Sequence, residues 1–536
     1  MRALGMLRPS HAHTALSATL LLMVFNLLSR IMGLVRVKYI AWLFGRGTEA
    51  DAFNAAFVLP DQIAYFLVGG ALSATLVTIL TRSRDTGREE EGERSLSVIL
   101  TTMVLVLGSA IVLAEVAAPW YVQAMFHGFD GPKAALCVRL TRILLPAQMF
   151  FFASGVFSAV LLVRKQFSVQ AFAPLIYTLG TIMGGVLLER RLGVSSLAIG
   201  TVAGAFCGNF LLNAIFARRA GFHYRPILDW NDAGLREWVR LSLPLMAGVS
   251  LASADSWIIA HFASSTDGAI TLMNVAKQLF SAPTAMLAQA AGAASMPFFA
   301  SLWSRQRHYE FAVGVADSVS RVSALGVLTA SAMMALAAPL VELLFAGGRF
   351  TVADSRQCAA YFVVFSISLA LWSAQSLYAR AFFAAGNTFL PMVAATAVTV
   401  ISIPVYAFLY RWYGAMGLAF ASNLGMALQT AVLAVLLHQK RMVSLASLDF
   451  AEMGRCLLAG VSAGGAVWLV FSYGLGQVTA LLADQPLAVH LLHKTRWIDL
   501  MILLAGSFLW VVVARWVLEK SGSALPRVMM RKMRLR

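Results

Sequence analysis

Apolar and polar positions alternate along this chain on a long period. About 14 mostly apolar runs of around 20 residues or more are separated by short polar stretches. To within a few residues they span 16–44, 51–81, 96–118, 136–163, 169–189, 194–217, 237–263, 268–302, 311–338, 355–384, 388–410, 414–438, 453–475 and 498–518. Each is long enough for an α-helix to cross a hydrocarbon layer about 30 Å thick. The runs are too long for strands and lack an alternation of period two. The longest polar piece, 82–94, reads as a mixed-charge connector, and no gap would hold a soluble domain. The pattern predicts an all-α polytopic membrane protein with about 14 transmembrane helices.

Landmarks recur about 220 residues apart. Ala117-Ala118-Pro119 before Met125-Phe126 is echoed by Ala337-Ala338-Pro339 before Leu344-Phe345. Arg164 with Pro174 is echoed by Arg380 with Pro391, and Pro60 by Pro283. The spacing predicts two six-helix lobes related by a pseudo-two-fold axis along the membrane normal. Residues 1–219 form the first, 220–441 the second, and 442–536 a C-terminal helix pair with a basic tail. Parallel repeats of this kind are a transporter arrangement, with the substrate site expected between the halves. Gly180 and Gly184, then Gly200, Gly204 and Gly208, have the spacing that lets helix backbones approach closely.

Composition narrows the class. Hydrophobic residues make up 59% of the chain and charged residues only 12%, against about a quarter in soluble domains. Soluble enzymes, disordered chains and disulfide scaffolds are excluded. The four cysteines are far apart and read as small buried hydrophobes. Lys and Arg number 42 against 25 Asp and Glu, a net charge of +17. These basic residues sit at the ends of apolar runs, which points to membrane topology rather than nucleic acid. With the N-terminus inside, Arg82, Arg84, Arg88, Arg94, Arg164, Arg218, Arg219 and Arg305 fall on one side, with a basic tail from Lys520. Both termini are therefore expected in the cytoplasm. The run after Arg2 and Arg8 continues to Phe44 without a small-residue cleavage site, so it reads as the first membrane helix rather than a cleaved signal.

No phosphate-binding GxxxxGK, HExxH or GxSxG motif is present. The chain is not expected to be an enzyme, to hold a metal or to need a cofactor. Membrane potential or an ion gradient is the expected driving force.

Charges inside apolar runs are the candidate chemistry, because a membrane-embedded charge usually faces a cavity or a partner. The first run carries Arg30, Arg36 and Lys38. Arg30 and Arg36, about 240° apart on a helix, are expected to line a cavity. A guanidinium fork suits pyrophosphate. The alternative for Arg36, and the favoured reading for Lys38, is a side chain that snorkels to the outer interface. Asp51 is expected to cap a helix or to pair with Arg36 or Arg46. Asp61, next to the helix-breaking Pro60, is expected beside Arg30, and Gly69-Gly70 reads as close packing or a gate. In the second lobe Asp255 and Lys277 are expected either to line the cavity or to form a structural ion pair that neutralises both charges.

Three stretches resemble the lipid II flippase family (MurJ, also called MviN). They are SRIMGLVR at 29–36 with LFGRGTEADAFNAAFVLP at 43–60, LFAGGRFT at 344–351, and RAFFAAGNTFLP at 380–391. The resemblance spans nearly the whole chain. It implies two six-helix lobes plus a C-terminal pair that forms a lipid groove. It also implies a cationic cavity in which undecaprenyl-pyrophosphate-linked peptidoglycan precursor, lipid II, moves from the inner to the outer leaflet of the bacterial cytoplasmic (inner) membrane by alternating access. Arg30, Arg36 and Asp51 fall on family positions. Membrane lipids and other cell-wall synthesis proteins are the implied partners, with no role for nucleic acid. Two family arginines are replaced, by Ala64 and by Gln278 in Ala276-Lys277-Gln278. The cation site of some members pairs acids on the seventh and eleventh helices. Here only Asp255 is present, so sodium coupling is not expected. These departures keep a second reading open: a flippase for another lipid-linked polysaccharide precursor, or a non-transporting paralogue. A cation antiporter would need central acids, and a membrane transferase would need paired acids or a His/Asp set at one face. Neither pattern is found in this sequence.

Overall fold

The computed structural model describes residues 15–68, 71–164, 166, 168–482 and 495–526. The Gly69-Gly70 pair, the residues before 15 and the basic tail beyond 526 lie outside them. Apart from one isolated bridge between Gly347 and Phe350, regular structure among the described residues is helical.

The first compact unit is Met1–Gly248. It opens with α1 (Ala15–Phe44), α2 (Thr48–Ala56), α3 (Val58–Ile63) and α4 (Ala71–Asp85). The long α5 (Glu89–Met125) follows, then α6 (Gly131–Leu144), α7 (Ala147–Val163) and α8 (Ser168–Leu192). The unit ends with α9 (Ser195–Gly204), α10 (Leu212–Arg219) and α11 (Ala233–Ala247). α1 packs along α8, α2 on α6, α4 on α7, and α11 on α4 and α5. The expected boundary after residue 219 falls in an exposed connection. The first compact unit itself runs on through α11 to Gly248.

The second unit is Val249–Arg536. It holds α12 (Leu251–Ala263), α13 (Ala269–Thr284), α14 (Ala290–Ser304), α15 (His308–Ala335) and α16 (Ala337–Phe345). α17 (Val352–Ile367), α18 (Leu369–Ala384), α19 (Phe389–Gln439), α20 (Phe450–Leu482) and α21 (Thr495–Lys520) complete it. α20 packs on α15 and on α21, and α21 on α16.

Prolines explain where several apolar runs break. A proline ring clashes with the carbonyl four residues back. α2 ends at Ala56, four residues before Pro60, and the Thr141 hydroxyl donates to the Ala56 carbonyl at 3.4 Å. α15 ends at Ala335, four residues before Pro339. Wide π turns follow Pro60 at Ala64–Val68 and Pro283 at Ala285–Gln289, re-pairing backbone groups locally. The seventh run is not one helix, because residues 248–250 leave the helical region between α11 and α12. Conversely, the eleventh and twelfth runs share α19 across a kink at Gly414, whose φ of 57° favours glycine.

Among the described residues nine helices are long and apolar enough to cross a membrane, or ten if the α17–α18 pair, bent by 42°, is one span. The second and seventh runs are cut into pieces too short to qualify singly, and two runs share α19. This accounts for much of the difference from 14. The chain is a multi-pass membrane protein. Cys137, Cys358 and Cys456 are buried, but Cys207 is exposed, contrary to expectation. An apolar run shows one face to lipid, and Cys207 lies on that face of the π segment Ala205–Leu211.

Candidate functional site

In the first unit the candidate site gathers on α1, α3 and α8. Arg30 and Arg36 are both partly buried on α1. The Arg36 guanidinium carbon stands 5.8 Å from the centre of the Tyr177 ring on α8, within cation–π range. Asp61 on α3 lies in the electrostatic field of Arg36, and Tyr177 in the field of both. Arg36 Nε is buried and has no hydrogen-bond partner among the described residues. Asp61, expected beside Arg30, thus lies in the field of Arg36 instead, with Tyr177 added. A hydroxyl on an aromatic ring inside an apolar run is indistinguishable in sequence from ordinary packing.

Close helix packing positions this group. A Cβ on Gly184 would sit 2.6 Å from the Gly200 Cα, and one on Gly185 would meet the Tyr39 ring of α1 at 2.7 Å. The glycines that bring α9 and α1 against α8 therefore set where Arg36 meets Tyr177.

Asp51 has a different setting. It is fully buried in the first turn of α2, and its carboxylate accepts from Lys133 Nζ of α6 at 3.1 Å. Lys133 is 3% exposed and stands 4.7 Å from the centre of the Phe129 ring. Nothing in the sequence marks Lys133, which reads as one more charge beside an outer loop. Gly47, not Asp51, stands at the helix cap.

In the second unit Asp255 of α12 and Lys277 of α13 form the expected ion pair. Tyr406 of α19, fully buried, donates its hydroxyl to the same carboxylate. Lys277 Nζ also donates to Ser256 Oγ at 3.3 Å and lies 5.7 Å from the centre of the Phe365 ring. Where the eleventh run offers no acid, it offers the phenol of Tyr406. Ala64 and Gln278, the two replaced family positions, are both partly buried and uncharged. Among the described residues no group of three His, Cys, Asp or Glu side chains is placed to hold a metal.

A sequence profile of the lipid II flippase MurJ family matches residues 40–484. The chain belongs to this family. Asp51, Asp61, Asp255 and Lys277 fall inside the matched stretch, and Arg30 and Arg36 just before it. A probable lipid II flippase MurJ of Vibrio cholerae is 26% identical over 482 residues, covering 86% of this chain and 91% of that protein. The lipid II flippase MurJ of Burkholderia cenocepacia is 26% identical over 423 residues, covering 76% of this chain and 81% of its own. A solved lipid II flippase MurJ in an inward closed conformation aligns with a TM-score of 0.74 at 18% identity, covering 94% of this chain and 99% of that one. An inward-facing multidrug resistance transporter of the MATE family, in the MOP superfamily, aligns with a TM-score of 0.63 at 15% identity, covering 78% of this chain and 98% of that one. The structural likeness is one of fold. Family membership rests on the sequence match.

Proposed function

We propose that this chain flips lipid II, an undecaprenyl-pyrophosphate-linked peptidoglycan precursor, from the inner to the outer leaflet of the bacterial cytoplasmic membrane by alternating access. The observation that carries the proposal, in a chain of this family, is Arg36: a guanidinium within a membrane helix, with a buried donor that no group among the described residues accepts. A guanidinium presents donors in a fork that fits phosphate oxygens. The Tyr177 ring packs against the side chain, Asp61 acts on its charge from a longer distance, and Arg30 adds a second positive charge on the same helix. Lys277 is neutralised by Asp255, so the net positive charge offered to pyrophosphate comes from α1. Asp51 acts through its pair with Lys133, fixing α2 against α6 rather than touching substrate.

Both termini are cytoplasmic in this proposal, and the polyprenyl tail lies along α20 and α21. Their outward faces expose Val461, Trp468, Phe508 and Trp516. The driving force is the membrane potential acting on the anionic headgroup, with no cofactor. The test is complementation in bacteria depleted of their own lipid II flippase, following outer-leaflet lipid II. Rescue that is lost with Arg36→Ala supports the proposal. Failure to rescue despite normal membrane insertion sinks it. The uncharged Ala64 and Gln278 favour a second reading, in which another lipid-linked polysaccharide precursor is the cargo. A substrate swap in the same assay separates the two.

A further inference from the structure

A membrane-embedded carboxylate is costly unless a cation or hydrogen-bond donors serve it. Among the described residues the Asp61 side chain forms no ion pair and accepts no hydrogen bond, yet it is exposed rather than sealed in packing. Arg36 acts on it from beyond ion-pair distance. Neighbouring donors are already engaged. Tyr65, four residues on, donates its hydroxyl to the Gly248 carbonyl at 3.0 Å, and Tyr121 donates to Gln62 Oε1 at 2.8 Å. An ionised carboxylate only accepts, so Asp61 offers accessible oxygens to a ligand that brings donors.

The surroundings narrow what that ligand is. No group of three His, Cys, Asp or Glu side chains is placed to hold a metal among the described residues, and one carboxylate alone makes a poor cation cage. A phosphate is repelled by a like charge. Phe57 lies one turn before Asp61 and Tyr65 about one turn after it, and both rings are partly exposed. The Phe57 ring is held edge-on against Phe53 at 5.1 Å. Ala64, between Asp61 and Tyr65 on this side of the chain, presents only a methyl group. Rings that offer apolar faces, with one acceptor between them, suit a ligand that carries hydroxyls on a compact carbon frame.

We propose that Asp61 reads the first sugar of a lipid-linked saccharide, accepting hydrogen bonds from its hydroxyls. The assignment rests on the lipid II reading, in which Arg36 takes the pyrophosphate. The first sugar is bonded directly to that pyrophosphate and so lies beside Arg36 when the headgroup is bound. Phe57 and Tyr65 flank the sugar ring. Asp61 also works against the wrong ligand, since its charge repels a bare polyprenyl diphosphate and finds no hydroxyls there to offset the repulsion. Arg36 thus selects the phosphate, and Asp61 separates loaded carrier lipid from empty carrier.

The test measures binding of three lipids by the full chain in detergent: lipid II, undecaprenyl diphosphate carrying a single sugar, and bare undecaprenyl diphosphate. The first two should bind about equally, and roughly tenfold more tightly than the third. Asp61→Ala should weaken lipid II binding about tenfold, as expected when charge-assisted bonds are lost. It should leave bare diphosphate binding unchanged or tighter, because a repelling charge is gone. Asp61→Asn keeps an acceptor oxygen in place and should recover most of the loss. Wild-type binding of the one-sugar lipid no tighter than that of the bare diphosphate overturns the proposal. So does unchanged lipid II binding in Asp61→Ala, or an equal loss for lipid II and the bare diphosphate, which would assign Asp61 to the phosphate or its counter-ion. Arg36→Ala should weaken all three lipids. If it leaves them unchanged, the pyrophosphate reading of Arg36 fails, while the comparison at Asp61 still decides the sugar contact. If Asp61→Ala fails to insert, the wild-type ranking of the three lipids gives the decision.

Discussion

At the scale of the residue, the proposed function turns on Arg36. Its guanidinium stands over the Tyr177 face, Asp61 acts on its charge from beyond ion-pair distance, and its Nε has no acceptor among the described residues. On the proposed function, replacing it with Ala removes a charge-assisted bond to pyrophosphate worth about 1.5–3 kcal/mol. Outer-leaflet lipid II should then fall by about tenfold or more, and unchanged flipping would show that the cationic group on α1 is not used. A different outcome is expected at Lys277. Lys277→Met leaves Asp255 uncompensated, at a cost of about 3–5 kcal/mol for a buried charge. Adding Asp255→Asn should recover most of that loss, as read from melting in detergent. If the double variant melts no higher than the single one, the pair is not what stabilises this site. Arg36, Asp61, Asp255 and Lys277 were legible in the sequence because a charge inside an apolar run is costly and so conspicuous. Tyr177 and Tyr406 were not, since a tyrosine in an apolar run looks like packing. Lys133 was hidden for the opposite reason, because a lysine at the polar end of a run looks solvated until α2 closes over it.

Elements are governed by backbone approach and by helix breakers. α8 and α9 touch through glycines, and a Cβ on Gly200 would lie 2.4 Å from the Gly180 carbonyl oxygen. Backbone cannot yield as a flexible side chain does. Gly200→Val should therefore cost about 1–3 kcal/mol through overpacking, seen as a lower melting midpoint and poorer recovery from the membrane. Wild-type melting would mean that the helices separate without penalty. The start of α17 offers a milder test. Thr351 and Asp354 form a reciprocal capping box, and Thr351→Ala should cost about 1 kcal/mol. Prolines were visible in the sequence, but their effects were not uniform. Pro339 separates α15 from α16, whereas its repeat counterpart Pro119 sits inside the unbroken α5. Neighbouring helices decide whether the freed backbone groups find new partners, as Thr141 does for Ala56.

At the scale of the whole molecule, the proposal ties transport to the membrane potential. A potential negative inside favours outward movement of an anion by about 2.3 kcal/mol per charge per 100 mV. Collapsing it with an ionophore should slow flipping, whereas removing sodium should not, since Asp255 already carries Lys277 and Tyr406. Sodium dependence in an outer-leaflet lipid II assay would refute this account of the second unit. By its own pattern the chain determined that it is helical, crosses a membrane several times and repeats itself. These properties follow from run length, charge placement and proline spacing, which are local and additive along the sequence. Only the tertiary structure decided which buried charges meet which partners, where runs break, and that α11 belongs with the first unit. Such outcomes depend on faces brought together from distant parts of the chain, and hydrophobicity has no direction by which a sequence could specify them.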